Sequence, residues 1–350
     1  MRSDLFDYEL PKELIAQEPL EPRDESRLFH LERGTNNFSH YIFKNIGQFL
    51  RDGDVLVLNN SKVIPARLRA VNEASHEFEI LLLAQKGEDT WEALVKPGKK
   101  LKLGEDLIIS KTGDDLLSAK MEEKLSGGTY LLRFNVKGAD FRKKLEKYGE
   151  VPLPPYITNS KSRKDQYQTV FADPDKEGSA AAPTAGFHFT PELLASLEKQ
   201  GVQIEYVTLH VGLGTFQPIR TDEIEEHQIH SEYFEIDPEI AEKIKQAKQE
   251  KRRVISVGTT AARVLETFGA SGALEGETDI YIYPGYEWKI VDGLITNFHL
   301  PKTSLLALVA SFVADSTDPD SGIEIIKQAY AEAIKQKYRF YSFGDAMLII

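Results

Sequence analysis

The chain has no cysteine among its 350 residues. That single absence excludes a disulfide scaffold, an iron–sulfur cluster, a thiolate zinc site and cysteine nucleophilic catalysis, and it suits a reducing, cytoplasmic setting. Long apolar runs are missing too: the longest, Leu305 to Val313, is interrupted by Ser311 and falls well short of the about 20 residues that cross a bilayer core. The opening MRSDLFDYELPKELIAQEP carries acidic residues where a secretory leader needs an unbroken apolar stretch, so export is not expected. Positive charge is in deficit, with 43 Lys and Arg against 55 Asp and Glu for a net −12, which taken alone speaks against a non-specific polyanion binder. No G-x-x-x-x-G-K-S/T string occurs, which removes a P-loop.

What is present is the balance of a folded chain, 41% hydrophobic and 28% charged, at a length that fits about two domains. From Pro65 to about Lys147, short β-type runs alternate with turn signals: Ala66–Val71, Phe78–Leu83, Trp91–Val95, Asp106–Ile109, Leu116–Met121 and Thr129–Val136. This spacing predicts a small six-stranded β-barrel. On either side, Val55–Leu58 and Arg253–Val257 read as strands, whereas Pro191–Lys199, Pro238–Glu250, Ala261–Phe268, Ser304–Val313 and Gly322–Lys335 have helical spacing. That alternation predicts an α/β main domain, residues 1–64 plus 150–350, with the barrel, residues 65–149, inserted into it. Two basic clusters break the acidic average. Arg142 to Lys164 holds seven basic residues against two acidic, and Lys243 to Arg253 six against one, +5 each. Either a solvated face or an anionic partner accounts for such a cluster.

Several strings carry chemistry. Arg253-Val-Ile-Ser-Val-Gly258-Thr259-Thr260-Ala-Ala-Arg263 reads as strand, glycine turn and helix start, where free amides receive a phosphate or carboxylate and Arg263 can add a charge-assisted contact; an ordinary N-cap reads equally well. His210-Val-Gly212-Leu-Gly214-Thr-Phe-Gln217 lacks the third glycine of a dinucleotide fingerprint, so a Rossmann site is not expected. In Gly178 to Pro191 a run of small residues precedes Phe187-His188-Phe189, an arrangement suited either to a flat heterocycle or to a tightly packed turn. His227 and His230, beside Glu232, have no third ligand at metal-motif spacing. His299 lies between a strand and a capped helix, and Tyr338 to Asp345 reads as aromatic packing against a final strand.

Taken together, Ile15–Pro19, Arg23–Leu28, Asp54–Leu68, Tyr167–Phe171, Ala182–Thr190, His210–Pro218, His230–Glu232, Val257–Arg263, Pro284–Tyr286, Ile295–Leu308 and Tyr338–Ile350 resemble the S-adenosylmethionine:tRNA ribosyltransferase-isomerase family of queuosine biosynthesis. The resemblance covers essentially the whole chain. It implies an α/β domain carrying an inserted barrel. It also implies S-adenosylmethionine as ribosyl donor, and transfer with rearrangement onto 7-aminomethyl-7-deazaguanine at the tRNA wobble position. The products would be epoxyqueuosine, adenine and methionine, with no metal and no bound prosthetic group.

That chemistry needs a base beside the sulfonium, an acid for adenine departure and an uncharged amine. Histidines and partly buried carboxylates serve near neutral pH, which makes His188, His210, His230, Glu232, His299 and Asp345 the candidate catalytic residues. The donor carboxylate suits Gly258, Thr259, Thr260 and Arg263, and Phe187 and Phe189 are candidates to stack on a base. For tRNA the candidates are Arg142, Lys143, Lys161, Arg163 and Lys164. A monomer is expected. A non-catalytic RNA-binding protein and an S-adenosylmethionine methyltransferase are the competing readings; the first leaves the histidine strings without a purpose, and the second lacks the glycine fingerprint.

Overall fold

Val55-Leu-Val-Leu-Asn59 is apolar at consecutive positions, which suits a strand covered on both faces, and all five residues are buried. The computed structural model describes residues 1–350 apart from 36, 111–114, 126–127, 155, 158–165, 213–217 and 316. The described chain divides into two units. Met1–Ser61, Pro155–Lys176 and Pro183–Ile350 form one, and Lys62–Pro154 with Glu177–Ala182 the other.

The first unit begins with strands β1 (Arg27–Glu32), β2 (Asn37–Ile42) and β3 (Val55–Asn59). The chain then builds the second unit: β4 (Lys62–Val63), β5 (Arg67–Val71), β6 (Glu77–Gln85), β7 (Thr90–Lys96), β8 (Asp106–Ser110), β9 (Leu117–Lys124), β10 (Tyr130–Phe134), helix α1 (Gly138–Tyr148) and β11 (Glu177–Ser179). It returns to the first through α2 (Pro191–Lys199), β12 (Gln203–Leu209), β13 (Glu232–Glu235), α3 (Pro238–Gln249), β14 (Val254–Val257), α4 (Gly258–Ser271), β15 (Glu275–Thr278), β16 (Gly293–Asn297), α5 (Ser304–Val313), α6 (Ser321–Lys335) and β17 (Ala346–Ile349).

In the second unit β5 to β10 close an antiparallel barrel in the order β10-β7-β6-β5-β8-β9, and β4 pairs with β11. Alternate residues fill the interior, among them Leu68, Ala70, Ile80, Leu82, Ala93, Val95, Ala119 and Met121. The barrel and the α/β sheet bear out the fold class read from the sequence. Helix α1 was not anticipated, because the β-type reading ran on to about Lys147. Phe141 and Leu145, one helical turn apart, are its buried residues.

The first unit is organised by a sheet of the described residues in the order β15-β13-β12-β3-β14-β16-β17-β1-β2. Helices α2, α3 and α5 start where local chemistry provides a cap. Thr190 accepts from the Leu193 amide at 3.1 Å ahead of Pro191, Asp237 accepts from Glu239 at 2.8 Å ahead of Pro238, and Thr303 accepts from Leu306 at 3.3 Å. Every residue of α5 is buried, so the longest apolar run of the sequence is a core helix. Among the described residues no helix is long and apolar enough to cross a membrane.

Strands β12, β3, β14 and β16 are parallel neighbours, so their carboxyl ends share one edge of the sheet. Antiparallel β17 places Ala346 opposite Asn297, and β1, parallel to β17, places Leu28 opposite Ala346. Ser26 and Asp345, which lead into those two strands, therefore lie at the same edge. Antiparallel β13 pairs Phe234 with Leu209 and so begins, at Glu232, on that edge as well. Ligands of open α/β sheets bind outside the carboxyl ends of parallel strands.

Candidate active site

At the β16/β17/β1 end of the edge stands His188, in a short turn, Thr184–His188, just before α2. It is 3% exposed. Its Nδ1 lies 2.7 Å from Ser26 Oγ and its Nε2 3.2 Å from Asn297 Nδ2, while the Thr184 hydroxyl donates to Asn297 Oδ1 at 3.1 Å. Burial, with the nearby Arg339 and Arg23 charges, pushes the His188 imidazole down to about 3. The ring is therefore neutral at physiological pH, which suits an orienting group rather than a proton donor.

Phe187 and Phe189, adjacent in the sequence candidates, go to different places. Phe187 stands beside Phe343, centroids 5.9 Å apart, and beneath the Arg23 guanidinium at 5.3 Å. Phe189 is fully buried against Phe43 at 4.9 Å inside the main core cluster. As a base-stacking residue Phe189 is thereby corrected: the turn sends its ring inward, under the sheet. Asp345 is 1% exposed and accepts from the amides of Arg27 (3.1 Å) and Arg339 (2.8 Å). Its carboxylate ties two chain segments together.

The β12/β13 end holds a second group. Arg263, in the second turn of α4, forms a buried ion pair with Glu232. The same guanidinium donates to the carbonyls of Thr278 at 3.3 Å and Ile280 at 3.4 Å, and Glu232 also accepts from the Gly212 amide at 2.7 Å. Arg263 was expected to receive the donor carboxylate. Its donors are instead engaged within the protein, so it holds Glu232 and, through Glu232, the start of the loop after β12. His210, half-buried, is stacked on Tyr233 at 5.7 Å, its Nδ1 buried without a hydrogen-bond partner among the described residues. Burial lowers its pKa and keeps it neutral near pH 7. His230 is exposed and lines a pocket of about 390 Å³ with His227, Arg263 and Tyr281.

Between these ends lies the start of α4. Gly258 has φ +88° there, and a Cβ would stand 3.4 Å from Ala185 Cβ and from Thr260 Oγ1, so only glycine makes this turn without strain. Among the described residues no side chain caps the helix, and Thr260 Oγ1 is buried without a hydrogen-bond partner. Thr259 and Thr260 are both buried. His299, two residues beyond β16, donates or accepts at Thr296 Oγ1 over 2.9 Å, its amide bonds Tyr330 and its carbonyl Tyr8. Desolvation pushes its imidazole down to about 3.

From β13 to β16 is four strand spacings, roughly 19 Å, so the candidate residues share an edge but not a point. Sequence reasoning missed Ser26, Asn297 and Thr184, although all three stand inside strings it had singled out. It also missed Glu266, whose buried carboxylate accepts from the amides of Lys289, Ile290 and Val291 and from the Tyr286 hydroxyl. Among the described residues no three His, Asp or Glu side chains gather as a metal set.

The basic clusters also separate. Lys243, Lys245, Lys248, Arg252 and Arg253 pair with Glu205, Glu242, Asp292, Glu250 and Asp54, so five of that cluster's six basic residues are engaged within the fold. Arg142 and Lys143 are exposed on α1 and form no ion pair among the described residues. Lys161, Arg163 and Lys164 lie outside the described residues.

A family profile described as queuosine biosynthesis protein matches residues 3–349. The chain belongs to that family. Its relatives include proteins named S-adenosylmethionine:tRNA ribosyltransferase-isomerase from Desulfitobacterium hafniense, 50% identical with all of both chains covered, and Heliobacterium modesticaldum, 51% identical with 99% of each covered. A crystal structure of S-adenosylmethionine tRNA ribosyltransferase from Thermotoga maritima covers 99% of this chain and all of its own at 40% identity, with a TM-score of 0.56. The resemblance read from the motif strings is borne out, and with it the reading as an enzyme of queuosine biosynthesis.

Proposed function

We propose that the chain transfers the ribosyl group of S-adenosylmethionine to the aminomethyl group of 7-aminomethyl-7-deazaguanine at the tRNA wobble position and rearranges it. Epoxyqueuosine forms, and adenine and methionine leave. The observation that carries this reading is the convergence of the family's polar strings on one carboxyl edge, around β12, β3, β14 and β16. No prosthetic group is invoked, and the enzyme acts as a monomer in the cytoplasm.

His210 suits the base that removes the proton beside the sulfonium: burial keeps it neutral and its Nδ1 is unengaged. His230, at the mouth of the pocket beside Arg263, suits the acid that assists adenine departure. The free amides of Gly258, Thr259 and Thr260, with the Thr260 hydroxyl, receive the donor carboxylate. Glu232, Arg263, His188, His299 and Asp345 position these loops, and Arg142 and Lys143, with Lys161, Arg163 and Lys164, hold the tRNA backbone.

Incubating the protein with S-adenosylmethionine and tRNA carrying the deazaguanine tests the reading. Free adenine and methionine are the expected products. S-adenosylhomocysteine would mark a methyltransferase, and no turnover a binding protein.

A further inference from the structure

The hydrogen bonds around His188 run in one direction. The Thr184 hydroxyl donates to Asn297 Oδ1. With the amide nitrogen of Asn297 facing it at 3.2 Å, His188 Nε2 is the acceptor, so the neutral ring carries its proton on Nδ1 and donates it to Ser26 Oγ at 2.7 Å. Ser26 is 1% exposed. Its own proton has no place on the ring, and its hydroxyl makes no other hydrogen bond in the described structure.

Ser26 and His188 line a cleft of about 230 Å³ together with Arg23, Arg339 and Ser342. It is too small and open for a whole drug-sized ligand, so it suits one functional group of a larger molecule. Its polar character is that of a donor site. Arg23 is fixed by the carbonyls of Gln168 at 2.7 Å and Gln166 at 3.2 Å. Arg339 is fixed near Asp345 at 3.5 Å, and the Ser342 hydroxyl is engaged with Tyr156 at 2.5 Å. No carboxylate lines the cleft among the described residues. Two guanidinium groups and a hydroxyl that must donate complement an anionic oxygen.

We propose that the cleft formed by Arg23, Ser26 and Arg339 is an oxyanion subsite, taking a carboxylate or phosphate oxygen to which Ser26 donates. On the reaction proposed above, that oxygen comes from the methionyl carboxylate of the donor or from a tRNA backbone phosphate. The cleft's chemistry itself does not depend on that reaction.

Binding to the full-length wild type and to Ser26→Ala tests this, with inorganic phosphate, methionine, S-adenosylmethionine and tRNA as separate probes. The variant is expected to weaken one anion class about tenfold or more while remaining folded. Loss confined to phosphate and tRNA identifies a phosphate site; loss confined to methionine and S-adenosylmethionine identifies a carboxylate site. A folded variant with every affinity unchanged overturns the proposal. If Ser26→Ala does not fold, ¹⁵N resonances of His188 in the wild type decide: an Nδ1–H tautomer is expected between pH 5 and 8, and an Nε2–H tautomer refutes it, because the ring would then hold the Ser26 proton. Adenine release by the wild type is scored separately, so failure of the proposed reaction leaves the phosphate and methionine arms readable.

Discussion

The Arg263–Glu232 pair gives the sharpest energetic expectation. Both side chains are almost wholly buried, at 7% and 3% exposure, and each is the other's charge partner. Removing one partner strands a buried charge, at a cost of about 3–5 kcal/mol. Arg263→Met is expected to lose that much, and Glu232→Leu as much again plus about 1–3 kcal/mol for the Gly212 amide that loses its acceptor. The double variant keeps the Gly212 term and the loss of the Arg263 bonds to the Thr278 and Ile280 carbonyls, but not the stranded charge, since an apolar pair of similar volume often replaces a buried ion pair at little cost. The single losses should thus sum to well above the double loss, with a coupling of at least about 3 kcal/mol. At about 2–4 °C per kcal/mol for a unit of this size, Arg263→Met should melt roughly 6–20 °C below wild type. Thermal unfolding of all four proteins, followed by circular dichroism, measures the cycle. Additive losses, or an Arg263→Met variant that melts as wild type while losing donor affinity, would refute the structural role and return Arg263 to the donor.

His188 carries a pH dependence. Its folded pKa, about 3, lies below the ordinary 6.5, so between those values the unfolded chain binds the extra proton. Stability should therefore be complete above about 6.5 and fall by about 1.4 kcal/mol per pH unit on acidification below it; His188→Gln should flatten that slope in acid melts, and an unchanged slope would show the ring titrates normally. Thr260→Val removes a buried hydroxyl without a partner, so the apo protein should melt at the same temperature or higher while S-adenosylmethionine binds about tenfold more weakly; unchanged calorimetric affinity would take Thr260 out of the donor site. Replacing Arg142 and Lys143 with alanine should lower the slope of log tRNA affinity against log salt by about 1.5 to 2, whereas replacing Lys243 and Lys248, already paired, should leave it unchanged.

What the sequence could disclose was local. Turn chemistry between Pro65 and Phe134 marked the barrel strands, and helical spacing behind an initial proline marked α2 and α3, because each signal depends on residues only a few positions apart. Helix α1 escaped because its buried face is just Phe141 and Leu145 within a charged segment. The site was legible as strings but not as contacts. Nothing near Arg263 announces Glu232, 31 residues away, and nothing near Lys248 announces Asp292, so a guanidinium and a lysine that look available are already engaged. Phe187 and Phe189 differ only in which way the turn before α2 points them.

The strand order has a consequence for synthesis. β1, complete at Glu32, lies between β2 and β17, and β17 begins at Ala346. At about 5–20 residues per second, the ribosome needs on the order of 15–60 s to pass from the end of β1 at Glu32 to the start of β17 at Ala346. β3 waits similarly for β12 and β14. Among the described residues the barrel strands between them close on one another and can fold as they emerge. During that interval the apolar strands of the future sheet keep open edges on the nascent chain, and it is then that they most need shielding from other chains. A stop shortly before Ala346 would leave β1 and β16 each with an open edge, so loss of a few terminal residues should send the chain to aggregation rather than to a shortened enzyme.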